Sequence, residues 1–207
     1  GPDKSIYISE ADRHRVMVLR PNATEWNVFA GVTDAYGSYA SEGDGGPATQ
    51  ALFWAPAGLD VGPDGSVYIV DAVVSRVRRV TPEGIITTVA GGGVGGDGSL
   101  ATQAQLIRPR DVAVATDGTL YIADTDNQSI RRVSPAGIIS TIAGIRGQSG
   151  SVTDGAVANQ TAIGYPYSVD VAADGRVFFA VSSGSVAGMI DTNGLLFRIA
   201  GGLGQGL

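Results

Sequence analysis

The chain repeats itself at a nearly constant spacing, and this periodicity constrains its fold more than any other feature. Equivalent prolines mark the repeat: Pro56 and Pro109 lie 53 residues apart, and Pro166 follows after 57, since one connecting loop is four residues longer. A period of this size indicates a repeat architecture. The four copies occupy approximately residues 1–31, 43–92, 96–144 and 153–202, and the first contains only the later part of the unit.

Each full copy contains four short runs of alternating apolar residues separated by turn signals. In 43–92 the runs are AGLDVGP, SVYIVDA, RVRRVTP and IITTVAG, with PDG joining the first pair and PEG the second. Glycine in these turns accepts the positive φ that a tight hairpin needs. Four antiparallel strands per unit are typical of a propeller blade. The sequence therefore predicts an all-β propeller of about four blades, with fifteen strands because the first blade lacks its opening strand.

One stretch carries a family resemblance. Residues 109–133 read P-x-x-V-A-V-x-x-D-G-x-L-Y-I-A-D-x-x-N-x-x-I-R-R-V, which resembles the NHL repeat, and GDG…ATxAxL with TVAG resembles its long-unit variety. The resemblance covers nearly the whole chain and implies a closed propeller, typically six-bladed. We therefore expect 1–207 to be a single propeller domain or segment of a larger ring. Neighbouring blades of a longer protein or another chain would complete the open blade, or a four-bladed ring would tolerate it.

The charge and apolar pattern exclude two kinds of partner. The net charge is −6, whereas nucleic-acid surfaces need clustered basic charge. No apolar run approaches the ~20 residues of a membrane span. We expect no nucleic-acid partner and no membrane insertion. The absence of cysteine leaves the redox compartment open.

Acidic and basic residues recur between the second and third strands. We predict that they form a structural brace, since a contact repeated in every blade is typical of a scaffold. The alternative is a ring of carboxylates that binds a divalent cation. The predicted brace residues are Asp12, Asp71, Asp124, Arg15, Arg76 and Arg131.

The sequence offers no catalytic constellation. NHL-repeat enzymes that cleave amidated-peptide precursors use several metal-bound histidines, whereas this chain has only His14, which we expect to be exposed on a strand. We predict no catalytic residues, no metal site and no cofactor. The GDG sequences at Asp44 and Asp97 leave calcium binding open.

The connecting loops hold the residues that differ most between copies. Aromatic and arginine side chains are good anchors for recognition. Alternatively, Phe53, Leu106 and Ile163 pack between blades and only their neighbours are accessible. The candidate binding residues are Tyr36, Tyr39, Trp54, Arg108, Arg110, Tyr165 and Tyr167.

Three Asn-x-Ser/Thr sequences lie in predicted turns or loops, at Asn22, Asn127 and Asn159. Such sites are N-glycosylation acceptors in secreted proteins. They favour an extracellular or cell-surface location.

These features predict a non-catalytic extracellular propeller segment that mediates protein or glycan contacts within a larger repeat protein. One alternative is a calcium-dependent propeller hydrolase or lyase of the lactonase type. It would use first-strand carboxylates at Asp60, Asp111 and Asp170, although the sequence alignment sets the last two out of register with Asp60. Another alternative is a structural subunit that self-assembles through open blade edges.

Overall fold

The computed structural model describes residues 1–33 and 42–201, which form four antiparallel sheets. We number these sheets as blades 1 to 4. Blade 1 contains β1 (Ile6–Glu10), β2 (Arg15–Leu19) and β3 (Asn27–Ala30). Blade 2 contains β4 (Pro56–Val61), β5 (Val67–Asp71), β6 (Arg76–Val80) and β7 (Ile86–Gly91). Blade 3 contains β8 (Asp111–Val114), β9 (Leu120–Asp124), β10 (Ser129–Val133) and β11 (Ile139–Ala143). Blade 4 contains β12 (Pro166–Val171), β13 (Val177–Val181), β14 (Val186–Ile190) and β15 (Leu196–Gly201).

Consecutive strands are neighbours in every sheet, so each blade is a meander. The all-β propeller prediction is confirmed, including the three-stranded first blade. The described residues also contain five short 3-10 helices, and none of them is long and apolar enough to cross a bilayer. They are Ala11–Arg13, Ala48–Gln50, Ala101–Gln103, Thr125–Asn127 and Ala158–Gln160.

The hydrophobic core lies between the blades. Each of its three clusters combines one blade face, the opposite face of the next blade, and the connector between them. The ATxAxL motif or its variant supplies most of the connector part, because its apolar side chains insert between the two sheets; Val152 precedes the variant ANQTAI in the third connector. The connector residues are Ala48, Ala51 and Phe53, then Ala101, Ala104 and Leu106, then Val152, Ala158 and Ile163.

A glycine at the end of each fourth strand explains why TVAG recurs. In blade 3, Gly144 has φ +89° and would place a Cβ 2.2 Å from the carbonyl oxygen of Gln128. Gln128 itself has the left-handed φ of 54°. Equivalent pairs are Gly31 with His14, Gly91 with Ser75, and Gly201 with Ser185. Only glycine tolerates both the positive φ and the close backbone approach.

Strand direction gives the propeller two distinct rims. We call one end the loop rim, where the connectors enter first strands and loops join second strands to third strands. The other end, the turn rim, carries the hairpin turns that join first to second strands and third to fourth strands. The pairs Pro56↔Asp71 and Arg76↔Gly91 lie at the loop rim, and Val61↔Val67 and Val67↔Val80 at the turn rim.

The outer faces of the end blades remain accessible. On blade 1 these residues include Ile6 (54% exposed) and Ile8 (45% exposed). On blade 4, Ile199 is 52% exposed. Inside the chain, the face equivalent to that of Ile6 and Ile8 packs against the preceding blade, and the face equivalent to that of Ile199 packs against the next blade. These two end faces are therefore apolar surfaces of the same kind without that cover.

Candidate functional site

Two of the predicted binding residues meet at the loop rim. Arg110 immediately precedes β8, and Tyr167 is the second residue of β12. The Arg110 guanidinium carbon lies 5.5 Å from the centroid of the Tyr167 ring. Among the residues that the structure describes, this guanidinium has no hydrogen bond or ion pair, and Tyr167 is 49% exposed. The pair therefore presents an aromatic surface beside several unused N–H donors.

Trp54 lies on the same rim, at the junction of blades 1 and 2. Its backbone N–H donates to both Asp71 carboxylate oxygens, and its carbonyl accepts a 2.6 Å hydrogen bond from His14 Nδ1. The rings of Trp54 and His14 are 6.0 Å apart. The expectation of an exposed His14 on a strand is wrong, because this half-buried residue ends the loop before β2 and is tied to Trp54.

Arg108 and Tyr165 are also accessible on the loop rim. The backbone of Arg108 has φ 45°, a conformation that L residues rarely adopt, and its N–H donates to Ser75 Oγ of the preceding blade. Its guanidinium lies 3.7 Å from Asp126, and Tyr165 is 39% exposed. Tyr36 and Tyr39 lie outside the described residues.

The connector residues beside these candidates are buried. Phe53, Leu106 and Ile163 are at most 4% exposed and pack between blades, as the alternative interpretation held. Each therefore anchors the adjoining loop, while residues next to it face solvent.

In blade 3 the predicted brace joins Asp124 to Arg131, and both side chains are fully buried. Asp124 accepts hydrogen bonds from Arg131 Nη1 at 3.1 Å, Asn127 Nδ2 at 2.7 Å and the Ile107 N–H at 2.8 Å. Burial raises the pKa of Asp124, and these donors oppose that effect. Arg131 Nη2 also reaches Asp97 at 2.7 Å.

Other blades correct the residue assignments of the brace. In blade 1, β1 corresponds to the second strand of a complete blade, and it ends at Glu10 rather than Asp12. Glu10 pairs with Arg15. In blade 2 the position equivalent to Arg131 belongs to Arg78, two residues beyond Arg76.

Blade 4 lacks this polar network. Val181 and Gly188 take the positions of the acid and the arginine, and the Phe179 ring lies against Gly188. An aromatic contact thus fills the space that Arg78 and Arg131 occupy in blades 2 and 3.

The GDG aspartates are engaged by protein donors. Asp44 pairs with Arg78, and Asp97 accepts from Arg131, from the Thr141 N–H and from its hydroxyl. Within the described parts of the chain, no group of three or more His, Asp or Glu side chains is arranged to hold a metal ion.

First-strand aspartates connect neighbouring blades. Asp60 accepts a 2.8 Å hydrogen bond from the Val114 N–H of blade 3, and Asp111 accepts a 3.0 Å bond from the Val169 N–H of blade 4. We call these contacts carboxylate bridges. Strand pairing places Asp60 opposite Tyr68 and Asp170 opposite Phe178, so these two are in register and only Asp111 is displaced. The expectation that Asp170 is also out of register is wrong, because the proline spacings of 53 and 57 residues place Asp170 in line with Asp60.

Burial, together with the nearby charges of Asp60 and Asp170, raises the pKa of Asp111 to about 6 against the opposing effect of its two N–H donors. Since the folded state favours the protonated acid, this contribution to stability is fully present below the unfolded-state pKa of about 4 and is lost as pH rises from there through the folded-state value. We expect the unfolding free energy of wild type relative to Asp111→Asn to fall by about 1–3 kcal/mol between pH 4 and pH 8. Denaturant titrations at several pH values measure this difference. Asp170→Asn removes one of the charges that raise this pKa and should make the fall smaller. An equal slope in wild type and Asp111→Asn would contradict the assignment.

The three glycosylation sequences differ in accessibility. Asn22 and Asn159 are exposed. Asn127 is 4% exposed and its Nδ2, the atom that would carry a glycan, donates to Asp124. The fold is therefore incompatible with a glycan at Asn127.

A family model of the teneurin NHL domain matches residues 2–94 and 93–152. The chain belongs to the teneurin NHL domain family. Teneurin-m of Drosophila melanogaster is 27% identical over 168 residues, which are 75% of this chain and 6% of that protein. Mouse Teneurin-1 is 30% identical over 158 residues, 68% of this chain and 6% of that protein. The chloroplastic protein SUPPRESSOR OF QUENCHING 1 of Arabidopsis thaliana is 29% identical over 140 residues, 64% of this chain and 13% of that protein.

Solved structures similar to this NHL domain show the same fold. A Bacteroides thetaiotaomicron protein of unknown function has a TM-score of 0.68 at 19% identity over 89% of this chain and 43% of that chain. A chain of a nidogen/laminin complex has a TM-score of 0.60 at 13% identity, covering 95% of this chain and 62% of the other. A putative gluconolactonase has a TM-score of 0.57 at 14% identity, covering 93% and 59%. The predicted NHL-repeat propeller is confirmed, and the chain spans a small part of its teneurin relatives.

Proposed function

We propose that this NHL domain is a non-catalytic, extracellular binding propeller that contacts protein or glycan partners through its loop rim. The Arg110–Tyr167 pair carries the proposal. A stacked arginine and tyrosine lose little conformational freedom when a ligand binds, and such side chains often dominate binding energy. The cell-surface role is consistent with the exposed acceptor residue Asn22.

The carboxylates that a lactonase-type enzyme would use have structural partners. Asp60 and Asp111 accept backbone N–H groups of the next blade, so calcium would have to replace these bonds. Fold similarity to a gluconolactonase does not specify activity. Turnover of a lactone panel that depends on added calcium would contradict a non-catalytic role.

The open blade faces support a second part of the proposal. We propose that neighbouring blades of a longer protein, or another chain, cover blade 1 and blade 4. The exposed residues Ile6 and Ile8 correspond to Val67 and Ile69 of blade 2, which are fully buried. Ile199 corresponds to Val89, which is half-buried against the next blade. Self-assembly through these faces is the alternative, and a strictly monomeric mass at high protein concentration would exclude it.

The loop-rim proposal predicts the effect of the double variant Arg110→Ala/Tyr167→Ala. Ligands are first sought among purified extracellular proteins and arrayed glycans. Because both groups lie on the surface, we expect the fold to persist while affinity for a loop-rim ligand falls at least about tenfold. Surface plasmon resonance measures the affinity, and thermal melting checks the fold.

A matched control removes a similar pair elsewhere. Arg176 lies 5.6 Å from the Phe178 ring centroid, away from the loop rim. Arg176→Ala/Phe178→Ala should leave loop-rim binding unchanged. Loss of binding in this variant, with retention in the Arg110/Tyr167 variant, would refute the proposed surface.

A further inference from the structure

Two equivalent grooves lie on the turn rim, one between blades 2 and 3 and one between blades 3 and 4. We call them groove 2/3 and groove 3/4, and their volumes are about 270 Å³ and 360 Å³. Both are lined by a second-strand tyrosine, a third-strand arginine and a fourth-strand threonine. These are Tyr68, Arg79 and Thr88 in groove 2/3, and Tyr121, Arg132 and Thr141 in groove 3/4.

The two grooves differ in the polarity of their remaining lining. Each groove is lined by one residue of a connector 3-10 helix, which is Thr102 in groove 2/3 and Asn159 in groove 3/4. The turn between the third and fourth strands reads Ser-Pro-Ala-Gly at 134–137 but Asp-Thr-Asn-Gly at 191–194. Groove 3/4 has therefore gained hydrogen-bonding groups on a scaffold that is otherwise repeated.

The polar groups of groove 3/4 are held in place by the turn. Asp191 Oδ1 accepts the N–H groups of Asn193 at 2.9 Å and Leu195 at 2.8 Å, and Asp191 Oδ2 accepts from Asn193 Nδ2 at 3.3 Å. These donors, with the Leu195 N–H as the strongest influence, lower the pKa of Asp191. The carboxylate is thus ionised at neutral pH and fixed before any ligand arrives.

Two further polar side chains line the same groove. In the described residues, the side chains of Arg132 and Asn159 form no hydrogen bond or ion pair, and both are exposed. Together with Asp191 and Asn193 they supply donors and acceptors within one groove. The adjoining Tyr121 ring adds an apolar lining surface.

We infer that groove 3/4 is a binding site for a neutral pyranose sugar. This inference specifies the glycan part of the proposed function and rests on it. A pyranose has an apolar C–H face that suits Tyr121 and adjacent hydroxyls that both donate and accept. An anionic ligand would face Asp191, and an apolar ligand would desolvate the Asp and Asn groups without replacing their hydrogen bonds. The 360 Å³ volume lies at the lower end of the ~300–1,000 Å³ range of small-molecule sites.

The binding experiment uses the full 207-residue chain labelled with ¹⁵N and produced without N-glycans, so that Asn159 is free. The probes are the methyl pyranosides of glucose, galactose and mannose, and N-acetylglucosamine. We expect at least one to shift the amide signals of Asn159, Asn193 and Gly194. Ligands of this size typically bind with a Kd on the order of 1–10 mM.

The variant Asn159→Thr/Asn193→Ala tests the site directly. It installs the residues that the chain carries at the equivalent positions, Thr102 and Ala136, so the fold should tolerate it. We expect the Kd to rise at least about fivefold. The matched control Thr102→Asn/Ala136→Asn changes groove 2/3 and should leave binding at groove 3/4 unchanged.

The outcomes separate this inference from the loop-rim proposal. The sugar site would be overturned if no probe shifted the amide signals, or if the Asn159→Thr/Asn193→Ala variant bound the sugar as tightly as wild type. Neither result would affect the loop-rim proposal, which is tested by separate binding measurements. Sugar shifts that disappear in Arg110→Ala/Tyr167→Ala, but persist in the groove variant, would assign the sugar to the loop rim and overturn the groove.

Discussion

Gly144→Ala should be among the most destabilising single substitutions in this domain. The added Cβ would lie 2.2 Å from the Gln128 carbonyl oxygen and 2.9 Å from the Ser129 Cα, at a backbone φ of +89°. Both contacts are with backbone of the same blade, so relief requires the fourth strand to move away from the third. We expect a loss of about 4 kcal/mol or more in the free energy of unfolding.

Gly137→Ala is the matched control. Gly137 also has a positive φ, +77°, but an added Cβ would have nothing within 4 Å. Its substitution should cost only about 1–2 kcal/mol, the penalty of a left-handed alanine. Urea denaturation of both variants separates the steric cost from the conformational one, and equal losses would show that close approach at Gly144 is unimportant.

Arg131→Met should cause the second large loss. The substitution removes the guanidinium that contacts the fully buried Asp124 and leaves that carboxylate without its charge partner. Breaking a buried ion pair in this way typically costs about 3–5 kcal/mol. The free energy of unfolding is measured by denaturant titration with circular dichroism.

Two variants test the reason for that loss. Arg132→Met alters the exposed neighbour and should change stability by less than about 0.5 kcal/mol. Asp124→Val/Arg131→Met removes both charges and should be more stable than Arg131→Met alone, because no buried charge remains uncompensated at this pair. Blade 4 already has valine at the equivalent of Asp124. If the double variant were less stable than the single one, the ion pair would not explain the effect.

The sequence predicted the strands well because each depends on a local pattern that recurs at a fixed offset. The arginines of the brace were harder to predict, because the arginine nearest to Asp71 in the sequence, Arg76, is not the one at the position equivalent to Arg131. Position 78 lies 53 residues before Arg131, so the repeat offset identifies Arg78 as the equivalent arginine in blade 2. Likewise, Glu10 lies two residues after SIYI, as Asp71 lies two residues after SVYI. This spacing indicates that Glu10, and not Asp12, is the equivalent of Asp71.

Features that depend on two segments far apart could not be predicted from a local motif. Asn127 belongs to an exposed-looking sequon, yet its amide is buried against Asp124 and the connector at Gln105. Groove 3/4 similarly requires Tyr121 of one blade and Asn193 of the next. Its polar lining was visible in the turn sequences, but only the packing of the blades places those residues beside the tyrosine.

The carboxylate bridges have a direction that matters during synthesis. Asp60 accepts from a residue 54 positions later, and Asp111 from one 58 positions later. A ribosome that releases the chain from its N-terminus therefore exposes each acceptor before its donor exists. Blades 2 and 3 each form this contact only after the first strand of the following blade has emerged, so the two contacts form in the order of translation. A pause by the ribosome before the second contact leaves one acceptor hydrated.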